Sequence, residues 1–408
     1  MTQSKPLRPV PPLLDPLDAD VFNSDYREQR PLHIERSDLG YFSDVVSTEK
    51  LESTFSTAAL YYPDVQLTQS GFDIPPSDYA SADGLIDPAR FFTRYVAGAT
   101  VIVSGSDRLF PGVSALCRQA SQHFGGACRA NLYLSPPGHQ GFAPHYDTHD
   151  VLVLQIAGHK TFRLYKNNVA LPFPEESFQA QGFEPGDVME EVALSAGDTF
   201  YIPRGFTHDA CAREESEEPS LHLTLGLYPP LLRDVLHRII DNLADTEVNL
   251  RRSINSADWQ FDGISDELFD SVSQHLTSDK LNRALPEVMR EFRDDIALAG
   301  LSSAHQAAAL FSGTAVTGKA VSQSNERCLL LQQQRYLGHE TLGDTLYCRT
   351  FGQVLEFHTP HRQRVENWLN SGEASTMQFT GTAESPLPGG DEVLKSLLDS
   401  GLGQLHPA

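Results

Sequence analysis

His145-Tyr-Asp147 is the one HxD sequence in a chain of 408 residues. On a strand, residues i and i+2 point to one face. An imidazole and a carboxylate placed that way can bind one metal ion side by side. A second histidine from a distant strand would complete a 2-His-1-carboxylate facial triad, whose open positions an oxygen-activating iron needs for a co-substrate and O2. His208 is the best third ligand. It follows Gly197 to Gly205 (GDTFYIPRG), which reads as a strand stopped by Pro203 and turned at Gly205. Six of the 15 histidines lie between His139 and His222, which draws attention to this part of the chain. The comparable HxE at His33 and Glu35 has no such partner motif.

Lys160 is an independent sign. In the strand expected over His159–Tyr165 it shares parity with Phe162 and Leu164. A lysine on an apolar face is costly unless it meets an anion, and the distal carboxylate of a dicarboxylate would be one. The alternative is a lysine at a strand end that snorkels to solvent. Asn131 and Tyr133 share one strand face opposite Leu132 and Leu134, and His222 and Thr224 oppose Leu221, Leu223 and Leu225. Either polar face can line a barrel interior or face outward. Other chemistries lack their signatures: there is no GxSxG, P-loop or HExxH sequence.

The elements that must position these residues are short strands. Ala130–Leu134, Val151–Ile156, His159–Tyr165, Asp198–Ile202 and Leu221–Tyr228 are separated by Gly and Pro turns, a pattern of sandwiches and barrels. Upstream, Pro31–Glu35 reads as a strand. Asp87–Val96 and Gly112–Phe124 read as helices, the first with Asp87 as cap and Pro88 in the first turn. After Pro229 the pattern becomes helical: Leu231–Leu243, Asp266–His275 and Leu285–Ala297. The end of the chain is expected to form a small separate domain. It has strands Thr345–Thr350 and Gln353–Phe357 around Phe351-Gly352, and helices Arg362–Asn370 and Asp391–Asp399. Helices around a β-wing resemble a winged-helix module. The expected organisation is a loose arm over 1–20, a β-rich domain over 21–228, a helical region over 229–312 and the terminal domain over 313–408.

Composition bounds the function. There are 54 acidic and 31 basic residues, a net charge of −23. This balance argues against a nucleic-acid footprint, which needs a basic face, so direct nucleic-acid binding is not expected, whereas a basic peptide or protein partner would be attracted. Five cysteines, none in a CxxC pair, argue against a disulfide scaffold or zinc ribbon and suit a reduced cytoplasm. The Pro-rich N-terminus lacks the apolar core of a signal peptide. The longest charge-free run, Ile296 to Gly318, is too polar for a membrane span.

Several blocks, in order, resemble the JmjC-type cupin ribosomal oxygenases. They are Asn131 to Asp147 (NLYLSPPGHQGFAPHYD), Val151 to Tyr165 (VLVLQIAGHKTFRLY) and Gly197 to His208 (GDTFYIPRGFTH). Tyr26 to Arg36 (YREQRPLHIER) and Gly98 to Gly105 (GATVIVSG) add to them. The resemblance covers about residues 20–230. It implies a double-stranded β-helix of the jelly-roll or cupin kind, an α-helical dimerisation region, hence a homodimer, and a C-terminal winged-helix-like domain. It implies an Fe(II)- and 2-oxoglutarate-dependent dioxygenase that uses O2 to hydroxylate a His or Arg side chain of a protein, notably a ribosomal protein. His145, Asp147 and His208 would bind iron. Lys160 would pair with the distal carboxylate of 2-oxoglutarate, supported by Asn131, Tyr133 and Thr224. His159 and Phe162 depart from the family's usual basic residue and tryptophan, and the acidic Arg213–Glu218 loop looks inserted. The same iron site would serve a histone-type demethylase or a tailoring hydroxylase for a natural-product peptide, and a non-catalytic cupin would keep the barrel alone.

Overall fold

The computed structural model describes residues 11–139, 142–212, 218–253, 273–274 and 277–299. In the C-terminal part it describes 327–331, 336–342, 345–350, 353–358, 362–363, 365–366, 377–378 and 403–407. The chain divides into two compact units, Met1–Gly300 and Leu301–Ala408.

The first unit opens with α1 (Ala19–Asp25), β1 (Leu32–Ile34), α2 (Thr48–Thr57), β2 (Val65–Gln69) and β3 (Phe72–Asp73). Then come α3 (Pro88–Val96), β4 (Thr100–Val103) and α4 (Pro111–Phe124). Seven strands follow: β5 (Ala127–Ser135), β6 (Asp150–Ala157), β7 (His159–Tyr165), β8 (Val188–Ser195), β9 (Thr199–Ile202), β10 (His208–Ala212) and β11 (Ser220–Tyr228). Helices α5 (Leu232–Thr246) and α6 (Ser278–Ala299) close the unit. Local chemistry sets the helix starts. Asp87 accepts hydrogen bonds from the Ala89 and Arg90 amides ahead of Pro88, and Pro111 opens α4.

An eight-stranded antiparallel sheet, in the order β1-β9-β6-β11-β5-β4-β2-β3, works with a three-stranded sheet, β10-β7-β8. The period of two along each strand separates two cores. One face of the large sheet presents Leu132, Leu152, Leu154, Leu221, Leu223 and Leu225 to the helices, where Phe22, Val113, Leu116, Ala120 and Phe124 join them. Its other face turns Val151, Val153, Phe200 and Ile202 toward Phe162, Leu164, Val192 and Leu194 of the small sheet. Two sheets packed on a shared core in this strand arrangement form a JmjC/cupin-type fold.

The expected strands are present with small shifts in their ends. β8 was not anticipated. Its sequence VMEEVALS is exposed over most of its length, so the alternation is faint. In the second unit β14 (Thr345–Thr350) and β15 (Gln353–His358) pair from Thr350↔Gln353 outward, as a hairpin around Phe351-Gly352 requires. β13 (Tyr336–Leu342) completes that sheet, and β12 (Arg327–Leu331), β16 (Met377–Gln378) and β17 (Gly403–Pro407) form another. The helices expected over Asp266–His275, Arg362–Asn370 and Asp391–Asp399 fall largely or wholly outside the described residues. So do the start of the N-terminal arm and most of the Arg213–Glu218 loop. Among the described residues, no helix is long and apolar enough to cross a membrane.

Candidate active site

His145, Asp147 and His208 converge, with one potential ligand atom from each lying within 4.8 Å of the others. His145 is not inside a regular strand. A single antiparallel bridge pairs it with His208, His145 N donating to His208 O (3.0 Å) and His208 N to His145 O (2.8 Å). Asp147 follows two residues later, and its carbonyl accepts from the Gly205 amide at 2.8 Å. Gly205 has φ +83°, and a Cβ there would fall 1.8 Å from the Val169 carbonyl oxygen. Only glycine makes this turn, and the turn delivers His208. Asp150 fixes the other side of it, accepting from the Arg204 amide and the Tyr201 hydroxyl at 2.9 Å each.

Both imidazoles are oriented by backbone. His145 Nδ1 lies 2.8 Å from Ala143 O and His208 Nδ1 lies 2.9 Å from Phe206 O. A carbonyl only accepts, so each Nδ1 carries the proton and each Nε2 keeps its lone pair for a metal. Burial, reinforced by neighbouring His145, pushes His208 down to about 4, which keeps it neutral at pH 7. The Asp147 carboxylate approaches His208 Nε2 at 3.7 Å. Two imidazoles and one carboxylate fit a divalent transition metal. His33, the other candidate, instead lies 3.2 Å from Asp198, which also accepts from the Ser195 and Arg36 amides and so braces a turn.

Lys160 sits on the inner face of β7, 2% exposed. Its ammonium donates to Ser135 Oγ at 2.9 Å, and Thr100 donates to the same hydroxyl at 3.0 Å. No carboxylate pairs with it among the described residues. Burial pushes its pKa down to about 8. Asn131 and Tyr133 of β5 face the same interior, in register with Thr224 and His222 of β11. Asn131 Oδ1 accepts from the Gly105 amide at 3.1 Å, and burial beside Asp147 raises the Tyr133 hydroxyl. The interior is the polar side of both strands, which resolves the orientation that alternation alone left open. A buried cation with no anionic partner fits a dicarboxylate.

Sequence reading missed Ser135 and Phe178. Ser135 is Lys160's partner and follows Asn131 and Tyr133 at strand spacing, a signal that was legible. Phe178 lies 6.1 Å from the His145 ring, which Phe142 also meets at 5.7 Å, and packs edge-on with Tyr146 (5.4 Å) and Phe183 (4.8 Å). It arrives from the long β7–β8 connection, which no periodicity marks.

Residues 114–235 match the family model of the JmjC domain. The chain is 30% identical over 261 residues to the bifunctional lysine-specific demethylase and histidyl-hydroxylase NO66 of Drosophila grimshawi, covering 62% of this chain and 35% of that protein. It is 31% identical over 219 residues to ribosomal oxygenase 1 of Gallus gallus, covering 53% and 36%. The chain thus spans little more than a third of these curated relatives. Among solved structures, E. coli YcfD superposes with a TM-score of 0.53 at 17% identity, covering 96% of this chain and 99% of that one. The complex of that ribosomal oxygenase with cobalt and 2-oxoglutarate gives 0.51 at 16%.

Proposed function

We propose, from the premise that this chain carries a JmjC domain, that it is an Fe(II)- and 2-oxoglutarate-dependent dioxygenase. Its substrate would be a histidine or arginine side chain of a protein, a ribosomal protein first among candidates. The observation that carries the reading is the convergence of His145, Asp147 and His208 in a domain that also buries Lys160 with no carboxylate partner among the described residues. The names of the relatives support it, and one of the matched structures holds 2-oxoglutarate with a metal.

His145 Nε2, His208 Nε2 and an Asp147 carboxylate oxygen would hold the iron. Lys160 would take the distal carboxylate of 2-oxoglutarate, with Asn131, Tyr133 and Thr224 as polar neighbours. Bound there, the iron and co-substrate supply the oxidation of a substrate C–H bond by O2, with release of succinate and CO2. The chain's own work is orientation. Carbonyls 143 and 206 lock the imidazole tautomers, and Gly205 ties the Asp147 backbone to the turn before His208. Half-buried Phe142 and Phe178 flank His145 and limit water beside it.

Anaerobic loading with Fe(II) and 2-oxoglutarate, then exposure to O2 with ribosomal proteins, tests the reading. Mass spectrometry should find a gain of one oxygen on one residue, with succinate formed in step. The relative's name favours one second reading, a lysine demethylase. That activity would remove a methyl group from a methylated lysine peptide instead. Neither product would leave a metal-binding cupin.

The charge of −23 supports a cationic polypeptide as partner. Association with a basic substrate should slow as salt rises above about 0.1 M, where screening shortens to about 10 Å. Insensitivity to salt would exclude steering. The same acidic balance counts against direct nucleic-acid binding. We further assign the helical region over 229–312 to dimerisation and the segment 313–408 to a winged-helix-like domain. In support, α5 exposes Leu232, Leu236 and Ile240 at helical spacing, and α6 exposes Leu285 and Met289. A concentration-dependent dimer in sedimentation, lost in Leu232→Glu/Leu236→Glu, would bear this out. The cysteine usage fits a cytoplasmic setting: Cys117, Cys128 and Cys211 are all free thiols.

A further inference from the structure

His222 is 5% exposed, and its Nδ1 is buried with no hydrogen-bond partner. An orphaned buried nitrogen is costly, and native structures rarely leave one without a use. The ring is held firmly. It stacks on Tyr133 at 4.8 Å and 9°, its register partner on β5, and meets Phe162 edge-on at 6.0 Å. Phe162 is two residues from Lys160, and Tyr133 is two residues from Ser135, the hydroxyl that Lys160 reaches. His222 and Lys160 therefore approach one spot from opposite sheets. Regular pairing with β5 sets the direction of His222. On its other side the pairing of β11 with β6 shifts between Leu221 and His222, the extra residue lying on β6, so that His222 faces Gln155. Burial, with Lys160's charge added, holds the imidazole well below its ordinary pKa, so it enters the pocket neutral.

We infer that His222 is a further co-substrate-binding residue, whose Nδ1–H donates to the carboxylate that Lys160 neutralises. This rests on the oxygenase reading and deepens it, since it makes the distal carboxylate a two-point contact. A lysine alone gives charge without direction. A stacked imidazole adds a fixed donor, so the pocket would choose a dicarboxylate of one length over a shorter or uncharged 2-oxo acid.

The test is calorimetry on the Mn(II)-loaded chain, without oxygen, titrated with 2-oxoglutarate and with 2-oxobutanoate, which lacks the distal carboxylate. His222→Phe keeps the stack and removes the donor. It should weaken 2-oxoglutarate by about 10- to 100-fold while leaving 2-oxobutanoate and Mn(II) affinities unchanged. A 2-oxoglutarate affinity within about twofold of the parent would overturn the inference, as would an equal loss for both acids, which would mark a structural role. Histidine-15N spectra of the unmutated chain loaded with Zn(II) need no variant to fold. Beyond the Nδ1–H groups that His145 and His208 already bond to carbonyls, one further exchange-protected Nδ1–H should appear with 2-oxoglutarate and not with 2-oxobutanoate, and its absence counts against the assignment. A parent chain that binds neither acid overturns the oxygenase reading, and a parent that binds while His222→Phe binds equally well overturns this inference alone.

Discussion

The two faces of β7 treat their cations in opposite ways. On the outer face Arg163 donates through two nitrogens to Asp209, which is buried and also accepts from Tyr165 at 3.0 Å. On the inner face, three residues earlier, Lys160 is more deeply buried, and its one polar partner among the described residues is a serine hydroxyl. The outer arrangement is complete within the protein; the inner one has no anion among the described residues. Charge that the chain satisfies itself serves stability, and charge that it leaves open marks a place for something else.

The sharpest way to break this contrast is at the proposed metal ligands. Asp147→Ala should bring 2-oxoglutarate turnover below detection while the metal-free melting temperature stays close to that of the parent; retained turnover would remove Asp147 from the site. Lys160→Met comes next. It should lower 2-oxoglutarate affinity about 100-fold. Thermal unfolding should be unchanged or up to about 1 kcal/mol more stable, because an uncompensated buried charge is gone. A strongly destabilised Lys160→Met would mean that the lysine is structural after all. Arg163→Ala should do the reverse. It should cost about 2 kcal/mol in denaturant unfolding, discounted from the buried-pair range because Arg163 is partly exposed. Co-substrate affinity should not change.

The smallest effect is in pH. Lys160's pKa in the free protein is pushed down to about 8, and the proposed co-substrate carboxylate would bind the ammonium form. Below 8 the ammonium is present and affinity should be flat. Above 8 the free protein must take up a proton to bind, so Kd should rise by up to about tenfold per pH unit. Calorimetry across that range checks it, and in Lys160→Met the rise should vanish.

Much of this was legible in residue types and spacing. The HxD pair, the Gly197–Gly205 turn leading to His208 and the parity of Lys160 with Phe162 and Leu164 each name a residue and a direction. The two-residue period also divided β5 and β11 into leucine and polar sides. It could not say which side faced inward, because that depends on the helices and the small sheet packing on opposite faces. His145 looked like a strand residue, yet it lies in the connection between β5 and β6 and is joined to His208 by a single bridge. Phe178 was invisible for a similar reason: a connection between strands has no period to read. β8 was hidden because its glutamates and methionine face solvent at the edge of the small sheet.

The alternation along β11 has a consequence for how this gene can change. From His222 to Tyr228 the strand keeps strict register with β5, leucines toward the helices and His222 and Thr224 toward the pocket. A point substitution alters one side of that ribbon. Inserting or deleting a single codon between Leu223 and Leu227 would reverse the faces of the residues beyond it or break the ladder, driving leucine into the pocket and threonine into the hydrophobic core. Sequence drift in this strand is thus confined to replacement, and changes in length are expected to accumulate in the connections at its ends.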